Sequence, residues 1–153
     1  MPGTYSQIYI QVVFAVKGRK NFLQKEWRDE VFKYISGIIS AKGHKAIIVN
    51  GVEDHVHVFV GLKPVMALSD LVRDIKNNSS KNINESGRLK EKFQWQEGYG
   101  AFSYSKSAVS NVYKYIENQE EHHRKKSFKE EYKEFLKEFE IEYRDEYLFE
   151  WFE

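Results

Sequence analysis

Cysteine is absent from the 153 residues. That excludes disulfides, thiolate zinc sites and a cysteine nucleophile, and it fits a reducing interior. Also missing is any run of about eighteen apolar residues, the length a membrane-spanning helix needs. The start, Met1-Pro2-Gly3-Thr4-Tyr5, lacks the basic and then apolar stretch of a secretory signal, so the cytoplasm is the expected location. Net charge is nearly missing too, at +1. The balance is a cancellation: residues 127–153 carry four Lys/Arg against ten Asp/Glu, a net of −6, and residues 1–126 carry 20 against 13, a net of +7. A basic body suits a polyanionic partner, because Lys and Arg displace counterions from phosphates. Two solvated faces of opposite sign would give the same count.

What is present is enough apolar material for one domain spanning 1–153, at 41% hydrophobic and 16% aromatic residues. Thr4 to Val16 alternates, with Ile8, Ile10, Val12, Phe14 and Val16 on one side and Gln7, Tyr9 and Gln11 on the other, so a long first strand is expected. Helical spacing of Trp27, Val31, Ile35, Ile38 and Ile39 predicts a helix from about Glu26 to Lys42. A second strand follows over His44 to Val52, with the turn signal Asn50-Gly51 near its end. Leu68, Leu71, Val72, Ile75 and Ile83 mark a second helix from about Ala67 to Asn84, and Tyr99 to Tyr104 reads as another strand.

Between the second strand and second helix lies Glu53-Asp54-His55-Val56-His57-Val58-Phe59-Val60. Its alternation is that of a strand, which sends the three valines to one face and both histidines to the other. At the usual rise the two histidine Cα atoms stand roughly 6.6 Å apart, close enough for both imidazoles to reach one divalent cation. By itself a His-x-His spacing also fits a half-exposed strand with two surface histidines. The order strand, helix, strand, strand, helix, strand is the α+β ferredoxin-like (RRM-like) βαββαβ pattern, an antiparallel sheet with both helices on one face. The valine side would pack under those helices and the histidine side would face away. Two further helices are expected, one from about Lys106 to His123 and an acidic one from Phe128 to about Phe139.

The third helix contains Tyr115-Ile116-Glu117-Asn118-Gln119. Residues four apart share a helix face, so Gln119 can offer its carbonyl oxygen to a cation while Tyr115 reaches a group bound to it. A phenol is a weak nucleophile unless a strong electrophile is held against it, and a cation clamping phosphate oxygens makes the phosphorus electrophilic. Set beside His55 and His57, the pair points to phosphodiester attack by tyrosine.

At these residues the chain resembles the single-tyrosine HUH transposases of small bacterial insertion sequences, with their REP-associated relatives. His55-Val56-His57 matches the His-hydrophobic-His motif, and Tyr115 with Gln119 matches the Tyr-x-x-x-Gln helix. Flanking stretches agree: Gly51 to Asp54, Leu71 to Lys76, Trp95 to Ser103 and the His122-His123 pair. The resemblance implies cleavage of single-stranded DNA near hairpin ends, with Mg2+ or Mn2+ as cofactor. It implies a 5′-phosphotyrosine intermediate, a free 3′ hydroxyl, and rejoining by transesterification. It further implies a homodimer, in which the tyrosine helix of one subunit can complete the other's site, and a place at the nucleoid. Carried over, Tyr115 would be the nucleophile and His55, His57 and Gln119 the metal ligands.

Around this set, Tyr113 lies about 200° from Tyr115 on the helix and is read as packing. His122 is a possible accessory residue near the Tyr115 face, with a helix-end role equally open. Asp54 adjoins the first histidine, but alternation points it to the opposite face. Arg73, Lys76, Lys90 and Lys92 are candidate DNA contacts, with Lys81 beside them; Phe93, Trp95 and Tyr99 could stack on unpaired bases or serve as core. Three other readings stay open: a domesticated hairpin-binding protein, an RNA-binding sheet, and a metal-dependent hydrolase that uses water.

Overall fold

The computed structural model describes residues 2–152. Four strands, β1 (Tyr9–Ala15), β2 (Lys45–Gly51), β3 (His55–Gly61) and β4 (Gly100–Tyr104), form one sheet in the order β2-β3-β1-β4, each neighbour antiparallel. Helix α1 (Arg28–Ala41) joins β1 to β2, and α2 (Leu68–Ser86) joins β3 to β4. This is the expected ferredoxin-like α+β arrangement. Three helices follow it: α3 (Val109–Glu117), α4 (Gln119–His122) and α5 (Phe128–Glu138).

The register sorts the strands into two faces. Val12 opposes Val58 and Phe14 opposes Val56, so these side chains share the face under α1 and α2. There they meet Val31, Ile35 and Ile39 of α1 and Leu71, Val72 and Ile75 of α2, all at most 4% exposed. Burying each such side chain contributes about 1.5–3 kcal/mol, so this layer carries most of the fold. Phe93 and Trp95 belong to it as core: Trp95 meets Phe14 and Phe93 edge-on, each with centroids 4.8 Å apart, and its indole donates to Ser79 Oγ at 3.0 Å. Neither is free to stack on a base.

The other face carries Gln11, Val13 and Ala15 of β1 beside Phe59, His57 and His55 of β3. It does not face away to solvent as the alternation alone implied. Helix α3 lays Val112 and Ile116 on Phe59, and α5 lays Phe128, Tyr132 and Leu136 over the rest. Phe149 and Trp151 of the C-terminal segment close over Phe128 and Tyr132. Helix α5 begins at a capping box, Ser127 with Glu130. Its depth is set by Gly100: a Cβ there would lie 2.5 Å from the Tyr132 hydroxyl, so only glycine lets the helix settle this close.

Two expected elements change. The first strand pairs only from Tyr9, because its partners end at Gly61 and Tyr104; Leu62 N to Ile8 O, at 2.8 Å, is a last link beyond them. The third helix is broken at Asn118 (φ −96°, ψ 27°) into α3 and α4. Side chains take the carbonyls at the break: Asn118 donates to Lys114 O at 2.9 Å, and Asn50 donates to Ile116 O and Glu117 O at 3.0 and 3.1 Å. Tyr113 does point away from Tyr115, but it is exposed rather than packed.

Candidate active site

Strand β3 delivers His55 and His57 side by side, with ring centroids 5.1 Å apart and no exposure. Each ring is oriented through Nδ1. His55 Nδ1 donates to Asp54 Oδ1 at 2.7 Å; His57 Nδ1 accepts from the Gln11 amide at 2.8 Å, and Gln11 Oε1 accepts from the Tyr104 hydroxyl at 2.7 Å. Asp54 precedes the paired segment, so strand alternation does not govern it, and it reaches the histidine that alternation seemed to deny it. Phe128 stacks flat on His55 at 3.8 Å.

Both Nε2 atoms face a group that the motif reading missed, Glu131 on α5. Its Oε1 lies 3.3 Å from His55 Nε2, 3.1 Å from His57 Nε2 and 3.2 Å from His123 Nε2. Its Oε2 accepts from the Tyr115 hydroxyl and, at 3.3 Å, from the Gln119 amide. Gln119 Oε1 in turn lies 3.3 Å from His55 Nε2 and 3.2 Å from His123 Nε2. His55, His57, His123 and Glu131 each present a ligand atom within 4.8 Å of the others. Three imidazole nitrogens with one carboxylate form a donor set that suits a divalent transition ion, so the cluster fits such a metal by chemistry as well as by spacing.

Electrostatics follow from burial. Desolvation alone would lower the His55 pKa, but the Asp54 and Glu131 carboxylates outweigh it and raise it to about 9. His57 is lowered: burial dominates, Glu131 opposes it, and the neighbouring imidazoles add to the fall. Burial disfavours the Glu131 carboxylate, yet His57, His123 and His55 together hold it well below the usual range. The Tyr115 phenol is pushed above its ordinary range, first by burial and then by Glu131.

The predicted residues therefore divide. Tyr115, Gln119, His55 and His57 come together. His122 lies edge-on to the Tyr115 ring, with centroids 4.5 Å apart, while its neighbour His123 is the one that enters the donor cluster. Arg73 and Lys76 sit on α2, across the sheet from Tyr115. Arg73 is exposed and pairs with Asp70 and Asp74 at 3.1 and 3.5 Å. Lys76 spends its ammonium on Gln96 O and Gly98 O at 2.9 and 2.6 Å, and burial lowers it to about 8. Lys90 and Lys92 are exposed on the following loop, and Lys81 is exposed on α2. A cavity of about 480 Å³ opens onto the site between α3, α4 and α5, lined by Tyr115, His122, Lys125, Lys126, Glu131 and Phe135 among others.

One sequence signal did mark Glu131. It falls on the apolar stripe of α5 with Phe128, Tyr132 and Phe135, where a solvated carboxylate would not be placed.

Comparison with known proteins bears on the same residues. A family profile described as transposase IS200 like matches residues 4–119. The ISDra2 transposase TnpA of Deinococcus radiodurans is 27% identical over 124 residues, covering 78% of this chain and 89% of that protein. Two solved structures share the fold. A candidate transposase from Deinococcus radiodurans R1 matches with a TM-score of 0.63 at 22% identity, over 78% of this chain and 95% of that one. A REP-associated tyrosine transposase bound to a REP hairpin matches with a TM-score of 0.59 at 14% identity, over 80% and 73%. With the family profile spanning both the histidine strand and the tyrosine helix, this chain belongs to the IS200-like transposase family.

Proposed function

We propose that the chain is a metal-dependent transposase of the single-tyrosine HUH type, which cuts and rejoins single-stranded DNA near hairpin ends. One observation carries the reading: the Tyr115 hydroxyl and the Nε2 atoms of His55 and His57 converge on the same carboxylate, Glu131. A nucleophile and a set of metal donors thus lie within one carboxylate's span. His55, His57, His123 and Glu131, with Gln119 Oε1 beside them, would hold Mg2+ or Mn2+. The three imidazoles favour Mn2+ of the two, since Mg2+ prefers all-oxygen shells. When bound, such an ion supplies Lewis-acid polarisation of phosphate oxygens and offsets their developing charge.

The chain's own groups supply the rest. For Nε2 of His57 to be a ligand, its proton must sit on Nδ1, and Gln11 then presents its oxygen there after turning its amide over. Asp54 fixes His55 in the matching tautomer. Tyr115 Oη forms the bond to phosphorus while the bond to the 3′ oxygen breaks, giving a 5′-phosphotyrosine and a 3′ hydroxyl. The hydrogen bond to Glu131 orients the Tyr115 hydroxyl; as the bond to phosphorus forms the phenol proton passes to water, and the departing 3′ oxygen takes up a proton from water. Attack by a 3′ hydroxyl on the phosphotyrosine reverses these bonds and rejoins strands. Two ends must be handled together, which supports assembly as a homodimer. The DNA partner sets the expected place at the cytoplasmic nucleoid; among the described residues no helix is long and apolar enough to cross a membrane.

The test uses 5′- and 3′-labelled single strands from the DNA flanking the gene, with Mn2+ or Mg2+, read on a denaturing gel. The expected result is a metal-dependent adduct carrying the label 3′ of the cut, lost in Tyr115→Phe. Cleavage that survives in Tyr115→Phe with no adduct would make the protein a hydrolase. A band shift with no cleavage by the wild type would leave hairpin binding as its function.

A further inference from the structure

We infer that His55, His57, His123 and Glu131 close around one Zn2+ as a complete tetrahedral set, which turns away the phosphate that a six-coordinate ion admits. Zinc thus holds the chain in a resting form. The inference deepens the metal-dependent reading above and rests on it. Glu131 Oε1 stands 3.3, 3.1 and 3.2 Å from the Nε2 atoms of His55, His57 and His123. With zinc–ligand bonds of about 2.0 Å, the edges of a tetrahedron are roughly 3.3 Å long. Three of its six edges are therefore already in place, and all four ligand atoms lie within 4.8 Å of one another.

The rings are also turned for a cation. His55 donates through Nδ1 to Asp54 Oδ1, and His123 donates through Nδ1 to Lys126 O at 2.9 Å. Both rings therefore aim Nε2 at oxygens that only accept, Glu131 Oε1 and Gln119 Oε1. Acceptor facing acceptor needs positive charge between, from a proton on the ring or from a metal ion. What separates the ions is the number of positions each offers. A zinc site with four protein donors is closed, whereas a catalytic one keeps a place free. Here all four donors are at most 11% exposed. Phe128 lies flat on His55 at 3.8 Å, with Phe149 and Trp151 against it, which closes that side to water. An octahedral Mn2+ keeps two positions after the same four donors, enough for Gln119 Oε1 and one phosphate oxygen. Imidazole nitrogens suit zinc better than manganese, so zinc takes the set wherever the two compete.

Co2+ tests the geometry, because it takes zinc's place and absorbs strongly in the visible only when four-coordinate. One equivalent should give the strong bands, and Zn2+ should abolish them. Glu131→Gln should weaken them, as water takes the vacated position. Weak, six-coordinate bands in the wild type would overturn the closed set, and so would full intensity in the variant. If Glu131→Gln does not fold, His123→Gln takes its place, and the wild-type spectrum still decides. In calorimetry Zn2+ should bind at least about a hundredfold more tightly than Mn2+; equal affinity would overturn the proposal. Protein loaded with one equivalent of Zn2+ should form adduct on labelled single strands at least about tenfold more slowly than protein supplied with Mn2+. Chelation followed by Mn2+ should restore the rate. A zinc-loaded protein that matches the manganese rate would overturn the resting form, and so would a loss that chelation does not reverse. Failure of the transposase reading shows separately, as a wild-type protein that makes no adduct with Mn2+. The Co2+ spectrum and the Zn2+ affinity would still report on the four-donor set.

Discussion

Along β3 the even- and odd-numbered residues are buried alike, Val56, Val58 and Val60 on one side and His55 and His57 on the other, all at 0% exposure. They are buried for opposite reasons. The valines leave water for an apolar layer and gain by it. The histidines leave water for a carboxylate, an amide and a phenol, an arrangement that costs desolvation and returns it only through mutual hydrogen bonds. Burial therefore does not separate core from site in this molecule; the chemistry of the covering helix does. Helices α1 and α2 bring leucine, isoleucine and valine, whereas α5 brings Glu131 among its aromatics.

That contrast can be broken from either side. The largest effect expected is on chemistry: Tyr115→Phe should cut adduct formation by at least about a thousandfold, with a melting temperature close to the wild type. Next, His57→Val should weaken Mn2+ binding by at least about a hundredfold in calorimetry and cost about 1–3 kcal/mol of stability, because the Gln11 amide and one contact of Glu131 are left buried without a partner. The mirror experiment, Val58→Ala, should cost about 2–3 kcal/mol in urea unfolding and leave the Mn2+ affinity of the folded protein unchanged. Should Val58→Ala weaken Mn2+ as much as His57→Val does, the two faces would be one core after all.

Acidity sharpens the comparison further. The folded pKa of His55, about 9, lies above its ordinary 6.5, so the folded protein holds the extra proton between those values. Its contribution is complete below pH 6.5 and drains as pH rises. Metal-free protein should lose about 2 kcal/mol between pH 6.5 and 8. The depressed pKa of His57 contributes fully above 6.5 and adds no slope in that window. Above pH 8 Lys76, lowered to about 8, works in the opposite direction. Cation binding must expel the His55 proton, so Mn2+ affinity should climb across the same window with proton release. The smallest effect is at Asp54→Asn, which should flatten the stability slope and weaken Mn2+ by about tenfold through loss of ring orientation.

Local pattern made the scaffold readable in advance. Strand alternation and helical spacing are properties of neighbouring residues, so the βαββαβ order, the face shared by His55 and His57, and the pairing of Tyr115 with Gln119 were all accessible. What failed was non-local. Nothing near Asn118 says that Asn50, far along the chain, will hold the carbonyls of Ile116 and Glu117 and break the helix there. Nothing near His57 says that α5 will cover it. Lys76 looked like a phosphate contact because a lysine's charge is visible in a sequence and its two carbonyl partners are not. The covering helix did leave one trace, a glutamate on an apolar stripe.

Gly100 sets a tolerance for the whole site. It is a strand residue with no functional group, opposite Val13, and the Tyr132 hydroxyl rests where its side chain would be. Glu131 is the residue before Tyr132, so the standoff between the sheet and α5 is also the standoff between the carboxylate and the two imidazoles the sheet carries, His55 and His57. A single added methyl at position 100 would act as a shim under the helix and lift Glu131 from its donors. The reach of Glu131 to His55 and His57 is thus calibrated from a place that no search for reactive side chains would visit.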